Sequence, residues 1–328
     1  MAAVSLGTTG LAIVDVTVRG AGVFGLSIAY VCASRGARVR VIDPYGAGSG
    51  ASGGIVGALA PHTPDQWNAK KQFQFEALVM GEGFWADVAE ASGLPTGYAR
   101  TGRVQVIGER GVELAEARAE AARLNWAGLA DWRVEDLEVH DTLSALIHPR
   151  RAMTALAGLV EVVPDAPDEG LVVHATGWRG LVENDWGNGV KGQAVLLGFD
   201  GDGGPQMFVD GLHIIPHLDG TTAIGSTSER EFSDPASTDE QCEALIAKAV
   251  AAMPELAGAK VLERWAGVRP RAASRAPLLG AWPGRDGHFV ANGGFKIGFG
   301  IAPKVAEVMA DLVLEGRDVI PMEFKPSK

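Results

Sequence analysis

Residues 14–43 read VDVTVRGAGVFGLSIAYVCASRGARVRVID. The β-branched run Val14–Arg19 predicts a strand, the apolar spacing over Val23–Arg35 a helix closed by Gly36, and Arg38–Asp43 the next strand. Together they form a βαβ unit. Its turn is Gly20-Ala21-Gly22-Val23-Phe24-Gly25. At this spacing the first glycine permits the tight turn, the second lets a pyrophosphate approach the backbone, and the third lets helix pack on strand. The helix N-terminus offers free N–H groups and a positive dipole end to phosphates. Asp43 follows Gly25 by 18 residues, close to where an acid accepts a hydrogen bond from a ribose hydroxyl. The stretch reads as a dinucleotide site and leaves NAD and FAD open.

The next residues bear on that choice. After Asp43 comes PYGAGSGASGGIVGALAPHTP, with Pro44, Gly50, Ala51, Ser52, Gly53, Gly54 and Ile55. Composition alone would describe a flexible linker. The segment begins directly at a strand end, however, and runs into the long amphipathic pattern from Gln66 to Gly93. It therefore lies over the carboxyl edge of the sheet, where ligands bind in such folds. Small residues there let backbone approach a flat ring, which a nicotinamide enzyme does not evidently need.

With these two loops the chain resembles the D-amino-acid oxidase family of FAD-dependent oxidoreductases, in its glycine oxidase and sarcosine oxidase branch. Three further segments carry the resemblance: VVHATGWRG at 172–180, RWAGVRPRAASRAPLLG at 264–280 and NGGFKIGFGIAPKVAEVMADLV at 292–313. The resemblance implies an α/β fold, with an FAD-binding Rossmann-like domain of the glutathione-reductase type and an interleaved α+β substrate domain built on an antiparallel sheet. The FAD domain would take residues 1–84, 143–184 and 266–328, and the substrate domain 85–142 and 185–265. Alternating strands such as RVQVI, KGQAVLL and GLHIIPH, with the helical run TDEQCEALIAKAVAAM, suit a sheet covered on one face.

The resemblance also implies roles. Thr176, Gly177 and Trp178 match a segment that passes the FAD, and Gly294, Phe295, Lys296, Ile297 and Gly298 match the loop near substrate and flavin. Arg269 matches the arginine that clamps the substrate carboxylate, and Lys296 stands where glycine oxidases carry arginine and sarcosine oxidases lysine. His213 replaces an aromatic of the substrate pocket. The family's β-meander is missing from the short stretch 143–177, which leaves VEVVPDAP, with Val163, to touch adenine. No cysteine lies near 270–300, so the FAD is expected to be noncovalent.

Oxidation of an amino acid to an imino acid sends a hydride to flavin N5, and the cofactor carries that chemistry. The protein must position and polarise. Arg269, between apolar WAGV and a proline, can hold a carboxylate through two parallel charge-assisted hydrogen bonds; Arg271 and Arg275 read as solvent-exposed. Lys296 reads as a second anchor or a positive charge near the flavin. A helix over Ala302–Glu315 would point its N-terminus at this loop and stabilise negative charge on reduced flavin. For His213 and His217, pocket-lining and exposed positions are both open, and His62 is a further pocket candidate.

Composition sets limits. The 328 residues are 47% hydrophobic, carry a net charge of −11 and include two cysteines, Cys32 and Cys242, without CxxC spacing. Such a chain offers no broad basic surface for nucleic acid or membrane, and sparse cysteine suits core thiols in a reducing cytoplasm. MAAVSLGTTGLAIV lacks the basic n-region of a signal peptide, no run is long enough to span a membrane, and a cytoplasmic protein is expected. The seven histidines form no metal-ligand pattern and no hydrolytic triad is legible. The expected function is FAD-dependent oxidative deamination of glycine, an N-alkylglycine or a small D-amino acid, with oxygen or another electron acceptor as partner. The alternatives are a flavin oxidase of a carboxymethylaminomethyl group on tRNA wobble uridine, an FAD-binding protein without turnover, and an NAD dehydrogenase.

Overall fold

The computed structural model describes residues 14–327, so the signal-peptide reading falls mostly on residues outside it. A six-stranded sheet runs in the order Leu278–Ala281, His288–Asn292, Leu171–His174, Val16–Arg19, Val39–Ile42, Glu161–Val163. Its strands pair in parallel except for the Leu278–Ala281 edge. Val16, Val18, Val41 and Val173 are buried in it, as expected of a parallel sheet covered by helices.

Helices Val23–Ser34, Ala69–Ser92 and Gly298–Glu315 pack against one another over this sheet. The first is apolar around most of its circumference, with Leu26, Ile28, Ala29 and Cys32 fully buried; side chains of leucine or isoleucine size contribute roughly 1.5–3 kcal/mol each when removed from water. The third begins at Gly298, four residues before the start expected at Ala302. Pro303 lies inside the helix, and the helix N-terminus opens directly from the Gly294–Gly298 loop.

The second sheet has eight strands, in the order Lys260–Ala272, Gly187–Gly198, Thr222–Gly225, Leu212–Pro216, Gln206–Val209, Arg103–Val106, Glu138–Asp141, Trp132–Glu135. It is mixed rather than antiparallel throughout, because Gln206–Val209 runs parallel to Arg103–Val106. That pair joins chain segments about a hundred residues apart, and no hairpin constrains its direction. Helix Gln241–Ala252 covers one face, burying Cys242, Leu245 and Ala249 against Val195, Leu197, Ile214 and Ile224. The opposite face is free to look toward the six-stranded sheet.

Candidate active site

A cavity of about 920 Å³ lies between that face and the carboxyl ends of the parallel strands. The glycine turn forms one end. Gly20 has φ +106°, and a Cβ there would meet the Ala175 carbonyl oxygen at 2.3 Å; a Cβ on Gly25 would meet the Gly20 carbonyl oxygen at 1.9 Å. Both glycines are therefore demanded by the protein itself. Gly22 differs: its φ is −80° and an added Cβ would touch only Ser52 Oγ, at 3.3 Å. The missing side chain leaves room on the open side, toward a ligand.

The turn's hydrogen bonds fit the same occupant. Asp43 accepts from the Ala21 N–H at 2.8 Å and the Tyr45 N–H at 2.9 Å, and Ser52 Oγ accepts from the Val23 N–H at 3.0 Å. Among the described residues no acceptor takes the Gly22 or Phe24 N–H, which leaves the helix end with donors for an anion. Asp43 lines the cavity with lone pairs to spare for ribose, beside Pro44, Thr176, Gly177 and Trp178. Gly177 has φ +65°, and Asn292 Nδ2 donates to its carbonyl at 2.9 Å.

The second glycine loop crosses the middle of the cavity through Gly50, Ala51, Ser52 and Gly54. Four residues read as cofactor contacts lie outside the cavity wall. Gly25 is packed under the turn and Gly53 sits 2.2 Å, at its Cβ position, from the Gly48 carbonyl oxygen. Ile55 turns into the core, 2% exposed. Val163 pairs with Ile42 at the sheet edge and its carbonyl accepts the Asp43 N–H at 3.0 Å. The VEVVPDAP segment is absent from the wall: its short strand adds in parallel to the sheet edge and ends at Val163 beside Asp43.

At the far end stand the charged groups. Arg269 leaves strand Lys260–Ala272 opposite Val190. Its guanidinium donates through Nη1 to the Thr227 carbonyl at 3.2 Å and through Nη2 to Ser226 Oγ. It lies across Gly192, where a Cβ would come within 2.0 Å of Nη2. Burial lowers its pKa to about 10, partly countered by Glu229, and it remains charged at neutral pH. Arg269 forms no ion pair among the described residues. Its acceptors are held in turn: Thr227 and Gln193 exchange two hydrogen bonds, and Glu229 pairs with Lys191 across the neighbouring bridge.

Lys296 reaches the same space because the Phe295 N–H donates to the Pro270 carbonyl at 3.0 Å, tying its loop to the arginine strand. Gly294 rests against Phe24, 2.9 Å from its Cβ position to Cζ. Lys296 is exposed as a residue, yet partial desolvation of its ammonium and then the Arg269 and Arg271 charges lower its pKa. Val23, Ile297 and Gly298 complete this side, so the helix N-terminus faces the cavity.

His213 lines the cavity on strand Leu212–Pro216, its ring tilted against Phe208 with centroids 4.6 Å apart. Burial, then the Arg103 and Lys296 charges, push its pKa down to about 4, so the ring is neutral. His217 is not exposed: it is 1% accessible, packs on His148 and its Nε2 lies 2.9 Å from the Ile55 carbonyl oxygen. His62 lines the cavity, its ring bonded to Gln74. Arg103, Gln74, Ser226 and Trp265 also line it and were not singled out from sequence. Arg103 and Trp265 stand on strands, Gln74 on helix Ala69–Ser92 and Ser226 just past strand Thr222–Gly225, and nothing in one element tells which cavity it will face.

A glycine-lined cavity across the strand ends, with helix N–H groups at one end and a partly buried arginine at the other, fits a dinucleotide-dependent oxidoreductase. The family model "FAD dependent oxidoreductase" matches residues 15–161 and 143–312, so the chain belongs to the FAD-dependent oxidoreductase family, and its cofactor is FAD. Among curated relatives, glycine oxidase of Pseudomonas aeruginosa is 38% identical over 141 residues, 42% of this chain and 38% of that protein. Glycine oxidase of Pseudomonas putida is 34% identical over 168 residues, 49% of this chain and 46% of the relative. These matches thus span less than half of either relative's length. Across nearly the whole fold the chain superposes on the crystal structure of glycine oxidase from Geobacillus kaustophilus, with a TM-score of 0.84 at 20% identity, covering 96% of this chain and 98% of that one. No helix among the described residues is long and apolar enough to cross a membrane.

Proposed function

We propose that the protein oxidises a small amino acid, glycine, an N-alkylglycine or a D-amino acid, at the carbon bearing nitrogen. Segments 1–84, 143–184 and 266–328 would hold the cofactor, and 85–142 with 185–265 would supply the substrate wall. Bound FAD supplies the two-electron acceptor for the hydride that leaves the substrate carbon. The product imine then takes water and releases ammonia or an amine, and oxygen or another acceptor reoxidises the cofactor. FAD is held without a covalent link in this scheme: Cys32 is buried with its thiol pushed up to about 12, and Cys242 is buried against the other sheet.

The observation that carries the proposal is Arg269, a partly buried guanidinium with only neutral acceptors on one side and the cavity on the other. A desolvated cation without a direct ion pair is costly, and a substrate carboxylate would complete it through the remaining N–H groups. Lys296 and the helix N-terminus at Gly298 add positive potential where charge gathers on reduction. Neutral His213 lines the wall without adding charge. The match with glycine oxidases over part of the chain supports the same substrate class.

Arg269→Lys and Arg269→Ala test it by stopped-flow anaerobic bleaching of the flavin with glycine, sarcosine and D-alanine. Each variant should still bind FAD. Bleaching should slow by more than about tenfold at equal substrate concentration, the equivalent of losing roughly 1.4 kcal/mol from a charged hydrogen-bonded pair. Arg269→Lys should be nearer Arg269→Ala than wild type, because an ammonium lacks the planar fork. Methylamine and other amines without a carboxylate should react slowly with all three proteins. Wild-type rates in Arg269→Ala would sink the carboxylate-clamp assignment.

A further inference from the structure

Three cationic side chains of the cavity have no part in this scheme: Arg19 and Arg179 lie on the dinucleotide side, and Arg103 lies on the eight-stranded sheet. Arg103 stands on strand Arg103–Val106, and its side chain is 8% exposed. Its Nε donates to Asp141 Oδ2 at 2.8 Å, while Asp141 Oδ1 takes the Ser144 N–H at 2.8 Å. Among the described residues that is the only hydrogen bond of the Arg103 side chain. One nitrogen is anchored, and the Nη groups, which could complete a two-pronged contact with a carboxylate, remain uncommitted beside the cavity that Arg103 lines.

The strand register puts this group on the substrate wall. Arg103 pairs with Gln206 and Gln105 with Phe208, so Arg103 shares a face with Phe208, and Phe208 pairs with His213. His213 pairs with Gly225, Gly225 with Ala194, and Ala194 with Trp265, on the face that carries Arg269. One continuous sheet face therefore runs from Arg269 at one edge, past neutral His213, to Arg103. The only carboxylates lining the cavity are Asp43 and Glu183, on the strand end and helix of the dinucleotide side. The Arg103 charge reaches His213, whose pKa it helps to lower.

We propose that Arg103 is a specificity-determining residue that binds a second, remote carboxylate, so that the substrate is an amino acid carrying an acid at both ends. This rests on the amino-acid oxidation proposed above. Arg269 holds the carboxylate next to the reacting carbon, Lys296 stays with the flavin side, and Asp141 fixes the orientation of Arg103 from behind. Six strands separate the two arginines inclusively, five spacings, or roughly 24 Å between backbones at about 4.8 Å each. Both side chains shorten that gap, but a substrate that touches both needs several carbons between its carboxylates. The chemical class is an N-(carboxyalkyl)glycine or a D-2-amino dicarboxylic acid of extended length.

The holoprotein is titrated with unreactive dicarboxylates from malonate to pimelate and with monocarboxylates of equal length, reading the perturbation of the flavin spectrum. Dicarboxylates of five or more carbons should bind at least tenfold tighter than their monocarboxylate counterparts, with no such advantage for malonate. Arg103→Gln, and Arg103→Gln combined with Asp141→Asn so that no buried charge is stranded, should each erase the advantage. Arg103→Lys should keep a reduced advantage at a shifted chain length. Anaerobic bleaching by N-(carboxyalkyl)glycines should then show the loss in apparent Kd, with the limiting rate much less affected.

Equal binding of mono- and dicarboxylates at every length by the wild-type holoprotein would overturn the proposal, whether or not the variants fold. So would an advantage that survives both glutamine variants. If amino acids bleach the flavin without any preference for a second carboxylate, Arg103 loses its role and amino-acid oxidation stands. If dicarboxylates bind through Arg103 but no amine bleaches the flavin, the oxidation itself is wrong.

Discussion

The two ends of the cavity are made of different material. The proposed cofactor end is backbone: glycines at 20, 22 and 25, exposed N–H groups of one helix, and Asp43, all within thirty residues of sequence. The proposed substrate end is side chain: Arg103, His213, Arg269 and Lys296 come from four segments spread over nearly two hundred residues. The first asks for conformational freedom and close approach, the second for charge in a dry place. One end should therefore fail through Cβ atoms and the other through lost or displaced charges.

The sharpest contrast lies inside the glycine turn. Gly25→Ala pushes a methyl group to within 1.9 Å of the Gly20 carbonyl oxygen, and overpacking against backbone costs roughly 3 kcal/mol or more. It should abolish soluble folded protein or lower its melting temperature severely even without FAD. Gly22→Ala should leave the melting temperature of the FAD-free protein almost unchanged and weaken FAD binding, measured by fluorescence quenching. Equal damage to FAD-free stability from both would mean that Gly22, too, is required by the protein.

The substrate end has a glycine of its own, and it should break differently. Gly192→Ala places a methyl group 2.0 Å from the Arg269 guanidinium, which must move away. FAD affinity should hold while amino-acid-dependent bleaching falls roughly tenfold or more, mimicking the arginine variants. Normal bleaching would show that the guanidinium position is not what the reaction uses.

What could be read beforehand follows the same division. Gly20, Gly22, Gly25 and Asp43 act through spacing along one βαβ unit, and spacing is visible in a linear chain. Arg269 and Lys296 came from family resemblance, since neither GVRP nor GGFK says in itself what it faces. Arg103 escaped notice because alternation within RVQVI identifies two faces without saying which one meets the cavity, and its strand joins the sheet by a parallel pairing with no local signal. Val163 lies off the cavity wall although it ends its strand beside Asp43, because a strand of three residues satisfies its backbone by joining the sheet edge. The helix start at Gly298 lay four residues earlier than expected, because glycines in its first turn carry no local helix signal.

Asp43 joins the two materials, being a side chain that braces backbone. It accepts the Ala21 and Tyr45 N–H groups and lines the cavity. Asp43→Ala should weaken FAD binding by roughly 1.5–3 kcal/mol, the range for hydrogen bonds to a charged group. Asp43→Asn keeps an acceptor and should fall between. Unchanged FAD affinity in Asp43→Ala would remove the carboxylate from the ribose site and leave it only as a brace for the turn.

The smallest expected effect is a pH dependence that divides between the two ends. Burial holds His213, on the substrate wall, and His174, in the cofactor sheet, at pKa values of about 4, below the 6.5 of an unperturbed histidine. Between those values the unfolded chain binds protons that the folded chain refuses. Stability therefore rises with pH across that window and is lost as the solution is acidified from about 6.5 toward 4. His174 has a ring-nitrogen neighbour in His288 at 3.0 Å and packs on Trp282, whereas His213 faces the cavity. His174→Asn and His213→Gln should each flatten the slope of melting temperature against pH by a few degrees over this range, whatever they do to the melting temperature at pH 7. Occupancy of the cavity should separate them: an unreactive carboxylate ligand should change the pH slope of wild type and of His174→Asn, and change it less in His213→Gln, because only His213 shares the cavity with the ligand. A slope unmoved by either substitution would mean that both rings take up protons in the folded protein as readily as in the unfolded chain, and that the two ends are alike in how they hold a histidine.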